Sequence, residues 1–210
     1  MNLNSITKQI HTAVNVLKNS GLIAMPTDTL YGLGVSAYDH SAIDRLYSIK
    51  NRPSNMPLPI LIAENSEIER YTVAVSELAW RLVETFLPGN LTIVLRRGDN
   101  LPKSLSGGSE TIGLRIPDHC VPREIIRELG NPITGTSANL SGMIGATDAE
   151  SVYRQLGGQV DYIVDGGPTF GNMPSTVIDM SNCKPILIRE GGITKKELEK
   201  ICGTEIQCNK

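Results

Sequence analysis

Apolar side chains recur at helical spacing in six stretches of the chain. In the first stretch, Ile6, Ile10, Val14 and Leu17 share one face of a helix predicted over residues 4–19. The same spacing predicts further helices over residues 41–50, 76–86, 121–129 and 148–156, and a last one from Thr194. Each stripe leaves a polar face opposite, which indicates helices packed on one side against a core.

Short apolar runs between these helices predict strands. They lie at residues 22–25, 59–63, 91–95, 111–117, 132–135, 161–164, 176–179 and 185–189. The last three runs follow one another without a helix, so a mixed sheet is expected rather than a purely parallel one. Because no repeat and no long linker divides the chain, we expect one α/β domain over residues 1–210.

Composition and charge disfavour an extended nucleic-acid surface and rule out a membrane-spanning chain. The 210 residues include 20 basic and 22 acidic side chains and only 4% aromatic residues, which disfavours an extended nucleic-acid surface. No apolar run approaches the ~20 residues of a membrane span, and the first residues lack the pattern of a secretory signal. We therefore expect a cytoplasmic protein.

Several familiar site patterns are absent from the sequence. The four cysteines form no CxxC pair and have no histidine three to five residues away, so a zinc site is not indicated. Walker, Rossmann and GxSxG signatures are missing too, which disfavours a P-loop, a dinucleotide fold and a serine triad.

The chain's 20 glycines and 12 prolines gather in loops, and the first such loop carries polar side chains. This loop, PTDTLYGLG at residues 26–34, has two interpretations. Asp28 and Thr29 either accept hydrogen bonds from nearby backbone amides in a turn, or line a pocket for a small polar ligand.

Basic and polar side chains follow in later loops. Lys50 and Arg52 lie in KNRPSNMPLP, where three prolines restrict the backbone, an arrangement suited to polyphosphate, although a solvated basic loop is the alternative. TSANLSG at 136–142 offers Ser137, Asn139 and Ser141 to phosphate or ribose. Residues 166–179 and 187–193 add hydroxyls and a further arginine. Without paired carboxylates or a metal cluster, this pattern favours an anionic ligand and catalysis by positioning.

Seven segments in order carry a resemblance to a known family. They read PTDTLYGLG, KNRPSNMPLPILI, PGNLTIVL, TIGLRIPDH, TSANLSG, PSTVID and IREGGI. Over about residues 21–201 the chain resembles the YrdC-like family of threonylcarbamoyl-AMP synthases. The resemblance implies a twisted, open mixed β-sheet with flanking helices and a concave basic face. It also implies conversion of L-threonine, bicarbonate and ATP into threonylcarbamoyl-AMP and pyrophosphate, the first step of threonylcarbamoyl modification of the tRNA adenosine next to the anticodon.

The resemblance also implies roles for individual residues. The expected threonine contacts are Thr29, Arg115, Gly135 and Ser175. The expected ATP contacts are Arg52, Asn55, Thr111, Ser137, Asn139 and Arg189. Lys50 and Arg52 are the expected catalytic residues at the phosphates. Some relatives have a histidine in the strand after the proline-rich loop, whereas Leu61 stands at that position here.

Cofactors and partners follow from the same resemblance. Mg²⁺ is expected to bind mainly through the ATP phosphates and water. The functional partner would be a tRNA threonylcarbamoyl transferase complex, with weak tRNA binding by the chain itself and no membrane contact. We expect a single-domain form, with a core over about residues 6–201 and no C-terminal domain. The alternative function is a non-catalytic module that binds double-stranded RNA or tRNA.

Overall fold

The computed structural model describes residues 3–171 and 173–208. The predicted domain of residues 1–210 and the predicted segment 166–179 therefore include positions outside the described residues, Asn172 among them. Within the described ranges, no helix combines the length and the apolar character needed to cross a bilayer.

Helices lie close to the positions that the apolar spacing predicts. They are α1 (Leu3–Lys18), α2 (His40–Ile49), α3 (Ile68–Tyr71), α4 (Glu77–Phe86), α5 (Cys120–Leu129), α6 (Ala149–Leu156) and α7 (Lys195–Cys202). Short polar side chains fix where several of them begin. Asp39, Ser76 and Asp148 each accept a hydrogen bond from a backbone N–H in the first turn of the following helix.

The strands are short and most coincide with the predicted apolar runs. They are β1 (Ile23–Met25), β2 (Gly32–Gly34), β3 (Ile60–Leu61), β4 (Thr72–Val73), β5 (Leu91–Arg97), β6 (Thr111–Arg115), β7 (Ile133–Thr134), β8 (Thr136–Ser137), β9 (Tyr162–Ile163), β10 (Thr176–Asp179), β11 (Ile186–Arg189) and β12 (Gln207–Cys208). The sequence did not predict β2, β4, β8, β12 or α3. Each has at most four residues, too few for a period of its own.

The described strands form two sheets, and both are mixed, as predicted. The larger has the order β12-β11-β10-β5-β6-β3-β7, with β4 paired to β5, and the smaller has the order β8-β2-β1-β9. Parallel pairs such as β5 with β10 alternate with antiparallel pairs such as β5 with β6. A bridge between Ser36, two residues after the end of β2, and Ile133 of β7 joins the two sheets.

Helices cover the sheets through two clusters of buried apolar side chains. In the smaller cluster, Val14 and Leu17 of α1 pack with Val121 and Ile125 of α5, and all four are at most 3% exposed. The larger cluster contains the inward side chains of β5 and β6 together with those of α2 and α4. These packed layers hold the strand ends, and the loops that leave them, in fixed positions.

Candidate functional site

One end of the larger sheet brings together loops that are far apart in sequence. Strand β6 runs parallel to β3, with Leu61 beside Arg115, so the two strands end side by side. Strands β5 and β10 begin at the same edge, with Thr176 beside Leu91. Because β6 and β11 are antiparallel to β5 and β10, their final residues Arg115 and Arg189 reach that edge as well.

Arg115 lies at the centre of this edge and is only 8% exposed. Its Nε donates to Gly89 O at 3.0 Å, and Nη1 donates to Thr29 Oγ1 at 3.0 Å. Nη2 donates to Asp28 Oδ1 at 2.8 Å and, at 3.4 Å, to Asn90 Oδ1. A guanidinium has five N–H donors, so this network leaves one of them, on Nη1, for a ligand.

The loop after β1 presents a carboxylate and a hydroxyl to Arg115. Thr27 forms the turn, because its Oγ1 accepts from Thr29 N at 3.1 Å and donates to Leu30 O at 2.6 Å. The side chains of Asp28 and Thr29 contact Arg115 instead of capping backbone amides. Of the two sequence interpretations of this loop, the structure therefore favours the pocket wall.

Hydroxyls and a second arginine lie at the start of β10. Ser175 is 6% exposed, and its Oγ shares a hydrogen bond of 2.8 Å with Thr92 Oγ1. Arg189 donates to Ser175 O from Nη2 at 2.8 Å and from Nε at 3.1 Å. The Thr176 hydroxyl donates to Ile193 O at 2.6 Å, which fastens the start of β10 to the loop after β11. Ser175 and Arg189 are thus held together by backbone contacts.

Four basic side chains are close enough to affect one another's charge. Partial burial lowers the pKa of Arg189, and the charges of Arg115 and Arg52 lower it further. Burial lowers the pKa of Lys50 to about 8, again with a contribution from Arg52. Arg52 is therefore within Coulombic range of both Arg189 and Lys50, and the positive charge concentrated here favours an anionic ligand.

Lys50 fastens the loop that carries the TSAN sequence. Its ammonium donates to Ser137 O at 2.7 Å, Asn139 O at 2.5 Å and Asn139 Oδ1 at 3.2 Å. In return Ser141 Oγ donates to Lys50 O, and Asn139 Nδ2 donates to Met143 O at 2.7 Å. Because an ammonium has three N–H donors, Lys50 uses all of them within the protein. Its predicted place at the phosphates stays a prediction, and the geometry shows it organising the loop.

Arg52 offers a donor that the protein itself does not satisfy. Nη2 donates to Pro57 O at 2.8 Å, whereas the buried Nε has no partner among the described residues. A buried donor without a partner costs free energy, so it marks a place for water or a ligand. Asn55 of the same loop is exposed. A Cβ added to Gly107 would lie 2.4 Å from the backbone carbonyl oxygen of Asn55, so the loop packs closely on the turn before β6.

Two further predicted contacts lie at different distances from this centre. Gly135 donates its N–H to Pro59 O at 2.8 Å, and a Cβ there would lie 2.7 Å from the Leu61 side chain. Gly135 therefore leaves space for the leucine that stands at the position of the histidine of some relatives. Thr111 begins β6, four residues before Arg115. At a rise of ~3.3 Å per residue it lies about 13 Å from Arg115, at the far end of the strand.

Sequence reasoning missed three residues that complete the site. Asp28 was not among the expected substrate contacts, and its pairing with Arg115 depends on the fold. Asn90 contacts Arg115 and accepts at its carbonyl from Thr176 N at 2.9 Å, and Thr92 holds Ser175. Their signal in the sequence is the polar Asn and Thr at the start of an otherwise apolar strand.

The histidines and cysteines do not form a metal centre. His119 Nδ1 accepts from Val121 N at 3.2 Å and caps α5, and burial lowers its pKa against the raising effect of Asp28 and Asp118. His11 Nδ1 lies 2.8 Å from Glu128 at the surface. Among residues 3–171 and 173–208, no group of three or more His, Cys, Asp and Glu side chains is placed to hold a metal ion.

Comparison with known proteins identifies relatives over almost the whole chain. The Sua5/YciO/YrdC family model, described as telomere recombination, matches residues 15–191. Threonylcarbamoyl-AMP synthase of Bacillus subtilis (strain 168) is 42% identical over 196 residues, which cover 93% of this chain and 57% of that protein.

Solved structures agree with the fold. The crystal structure of Pyrococcus abyssi Sua5 complexed with L-threonine matches with a TM-score of 0.91 and 37% identity, over 95% of this chain and 58% of that one. Escherichia coli YciO matches with a TM-score of 0.84 and 32% identity, over 91% of this chain and 93% of that one. The chain therefore spans somewhat over half the length of the B. subtilis and P. abyssi proteins and nearly all of YciO.

Proposed function

The chain belongs to the Sua5/YciO/YrdC family, and we propose that it is a threonylcarbamoyl-AMP synthase. This enzyme is a nucleotidyltransferase that converts L-threonine, bicarbonate and ATP into L-threonylcarbamoyladenylate and pyrophosphate. The observation that carries the proposal is the convergence of Lys50, Arg52, Arg115 and Arg189 on polar loops at one end of the sheet. Family membership confirms the resemblance found in the sequence.

The two halves of the site suit two different ligands. Around Arg115 and Ser175, buried hydroxyls, one carboxylate and one open guanidinium N–H match the mixed charge of an amino acid. Around Arg52, a buried and unpartnered Nε and the loop held by Lys50 match a nucleotide with its phosphates. L-threonine as the amino acid is supported by the ligand named for the P. abyssi Sua5 structure.

The proposed chemistry requires little acid–base machinery from the protein. The threonine amine attacks CO₂ or bicarbonate, and an oxygen of the resulting carbamate displaces pyrophosphate at the α-phosphorus of ATP. Aligning the reactants contributes up to about 7–11 kcal/mol to lowering such a barrier. Arg52 and Arg189 would balance the charge that develops on the phosphates. This accounts for a site rich in cations and hydroxyls.

Mg²⁺ would reach this site with ATP. The donor set around the four cations contains no cluster of carboxylates, so the described residues do not fit a protein-ligated Mg²⁺ site, and no step is assigned to the ion here. Transfer of the product to tRNA by a separate transferase complex, weak tRNA binding, a concave basic face and a cytoplasmic location remain predictions. No observation on the described residues favours the RNA-binding module over the enzyme.

The experiment that tests the proposal is mass spectrometry of the product made from threonine, ¹³C-bicarbonate and ATP. We expect a labelled threonylcarbamoyladenylate and pyrophosphate release that requires all three substrates. Reactions that omit threonine or bicarbonate are the controls. ATP turnover that ignores threonine would contradict the proposal, and tight, salt-sensitive RNA binding without turnover would favour the binding module.

A further inference from the structure

The Asp28–Arg115 pair has the charge pattern of a receptor for an amino acid. Its opposite charges lie 2.8 Å apart, and the two side chains are 14% and 9% exposed. An α-amino acid carries its ammonium and carboxylate on one carbon, at a similar separation. The pair also has one unused group of each sign. One N–H of Arg115 Nη1 is free, and Asp28 Oδ2 has no hydrogen-bond partner among the described residues.

We infer that Asp28 is a catalytic residue: its free carboxylate oxygen receives the α-ammonium group of the amino-acid substrate and accepts a proton from that nitrogen when the C–N bond forms. The inference rests on the proposed function. It names the group that accepts the amine proton. The substrate carboxylate then faces the free N–H of Arg115. Each charge of the amino acid thus lies opposite the complementary charge of the Asp28–Arg115 ion pair.

Neighbouring groups do not offer the same chemistry. Arg52, Arg115 and Arg189 carry positive charge and repel an ammonium group. His119 already uses Nδ1 to accept a hydrogen bond from the first turn of α5, and a proton there would break that cap. Within residues 3–171 and 173–208, Asp28 is the acidic side chain that forms an ion pair with one of these arginines, Arg115.

The proposed steps balance in atoms and charge. Bicarbonate takes one proton from the substrate ammonium and loses water, which gives CO₂ and the neutral amine. The amine nitrogen then forms a bond to the CO₂ carbon, and the product is an N-protonated carbamate. This nitrogen is far more acidic than the original ammonium, so its proton passes to Asp28. The carbamate anion is then ready to attack ATP, and Asp28 returns the proton to water.

Binding of a matched ligand pair tests the inference. Calorimetry compares L-threonine with its 2-hydroxy analogue, in which a hydroxyl replaces the ammonium, on the wild type, Asp28→Asn and Asp118→Asn. We expect the wild type to prefer threonine by about tenfold or more, and Asp28→Asn to lose nearly all of that preference. Asp118→Asn is the control, because Asp118 is an exposed carboxylate that, like Asp28, raises the pKa of His119. This variant is expected to keep the preference for threonine.

Kinetics supply a second readout. Asp28→Asn is expected to lower kcat by about a hundredfold or more, with the KM for ATP nearly unchanged, because proton transfer is lost while nucleotide binding is kept. An unchanged preference for threonine or an unchanged kcat in Asp28→Asn overturns the inference. If that variant does not fold, Asp28→Glu replaces it, and a Glu variant that no longer distinguishes the two ligands overturns the inference too. This inference alone is overturned if the wild type makes the adenylate but binds threonine and its 2-hydroxy analogue equally. The proposed function is overturned as well if the wild type neither binds threonine nor makes the adenylate.

Discussion

Removing the Arg115 guanidinium is expected to destabilise the fold strongly. In Arg115→Met, Asp28 loses its ion-pair partner in a place where its side chain is only 14% exposed. Gly89 O and Thr29 Oγ1 lose their donors as well. Removing one partner of a buried pair costs about 3–5 kcal/mol, so we expect a loss of this size in the free energy of unfolding. At about 2–4 °C per kcal/mol for a chain of this length, Tm falls by about 6–20 °C.

Urea unfolding followed by circular dichroism measures this loss, and a double-mutant cycle assigns it. Arg115→Met and Asp28→Asn are measured singly and together, and we expect a coupling of about 1–3 kcal/mol because both changes act on one contact. Arg45→Met is the matched control. Arg45 also bonds a carboxylate, that of Asp161, but these side chains are 39% and 37% exposed, so a loss below about 1 kcal/mol is expected.

Two results would contradict a stabilising role for the Asp28–Arg115 ion pair. One is an Arg115→Met variant that loses no more stability than Arg45→Met, because burial would then have no effect on the value of the ion pair. The other is an additive cycle, because Asp28 and Arg115 would then act independently. In either case the ion pair would not be a fixed element of the site.

Three further predictions concern the surrounding loops. Gly135→Ala is expected to lower the free energy of unfolding by about 1–3 kcal/mol, because the new Cβ would overlap the Leu61 side chain. When Leu61→Ala is added, the combined loss should be smaller than the sum of the two single losses. An additive pair would contradict this. The pKa of Lys50 is about 8 in the folded protein and 10.5 in the unfolded chain, so the unfolded chain binds more protons between pH 8 and 10.5. The free energy of unfolding of the wild type should therefore rise with pH over this range. Relative to Lys50→Met, we expect a rise of up to about 3 kcal/mol. A constant difference would show that the amine titrates normally. Arg52→Ala should abolish adenylate formation with an unchanged circular dichroism spectrum, whereas Arg154→Ala, on the exposed side of α6, should retain activity; an active Arg52→Ala would remove Arg52 from the site.

Hydrophobic patterning predicted most of the fold because the longer elements bury a regular stripe or run of apolar side chains. Strand β5 and helix α1 are of this kind, and both lie within two residues of the predicted limits. Strand β2 has three residues and pairs along its whole length with β1. Strand β8 has two residues and exists because Ser137 pairs with Gly32, more than a hundred residues away. Such pairing depends on the tertiary structure and leaves no local period in the sequence.

The structure brings several of the predicted site residues together, but the sequence did not indicate their hydrogen-bond partners within the protein. The sequence indicated that Lys50 and the TSAN loop belong to one site, and the structure joins them through hydrogen bonds across 87 and 89 residues. It also indicated Arg115 as a threonine contact, but all except one of that residue's donors are used within the protein. Hydrogen-bond saturation is a property of packing, so motif spacing alone does not predict it.

The distribution of charge explains how a chain of formal charge −2 can hold a polyphosphate. Removing the four converging cations and Asp28 from the 20 basic and 22 acidic residues leaves 16 and 21 for the rest of the chain. The remaining residues are therefore net acidic, and a long polyanion that extended beyond the site would meet repulsion from them. Under the proposed function, ATP is small enough to be neutralised by Lys50, Arg52, Arg115 and Arg189, and the carboxylate of Asp28 would receive the ammonium group of the amino acid. One site of this composition could bind both substrates, because the phosphates of ATP would contact the basic side chains and the ammonium group of the amino acid would contact Asp28.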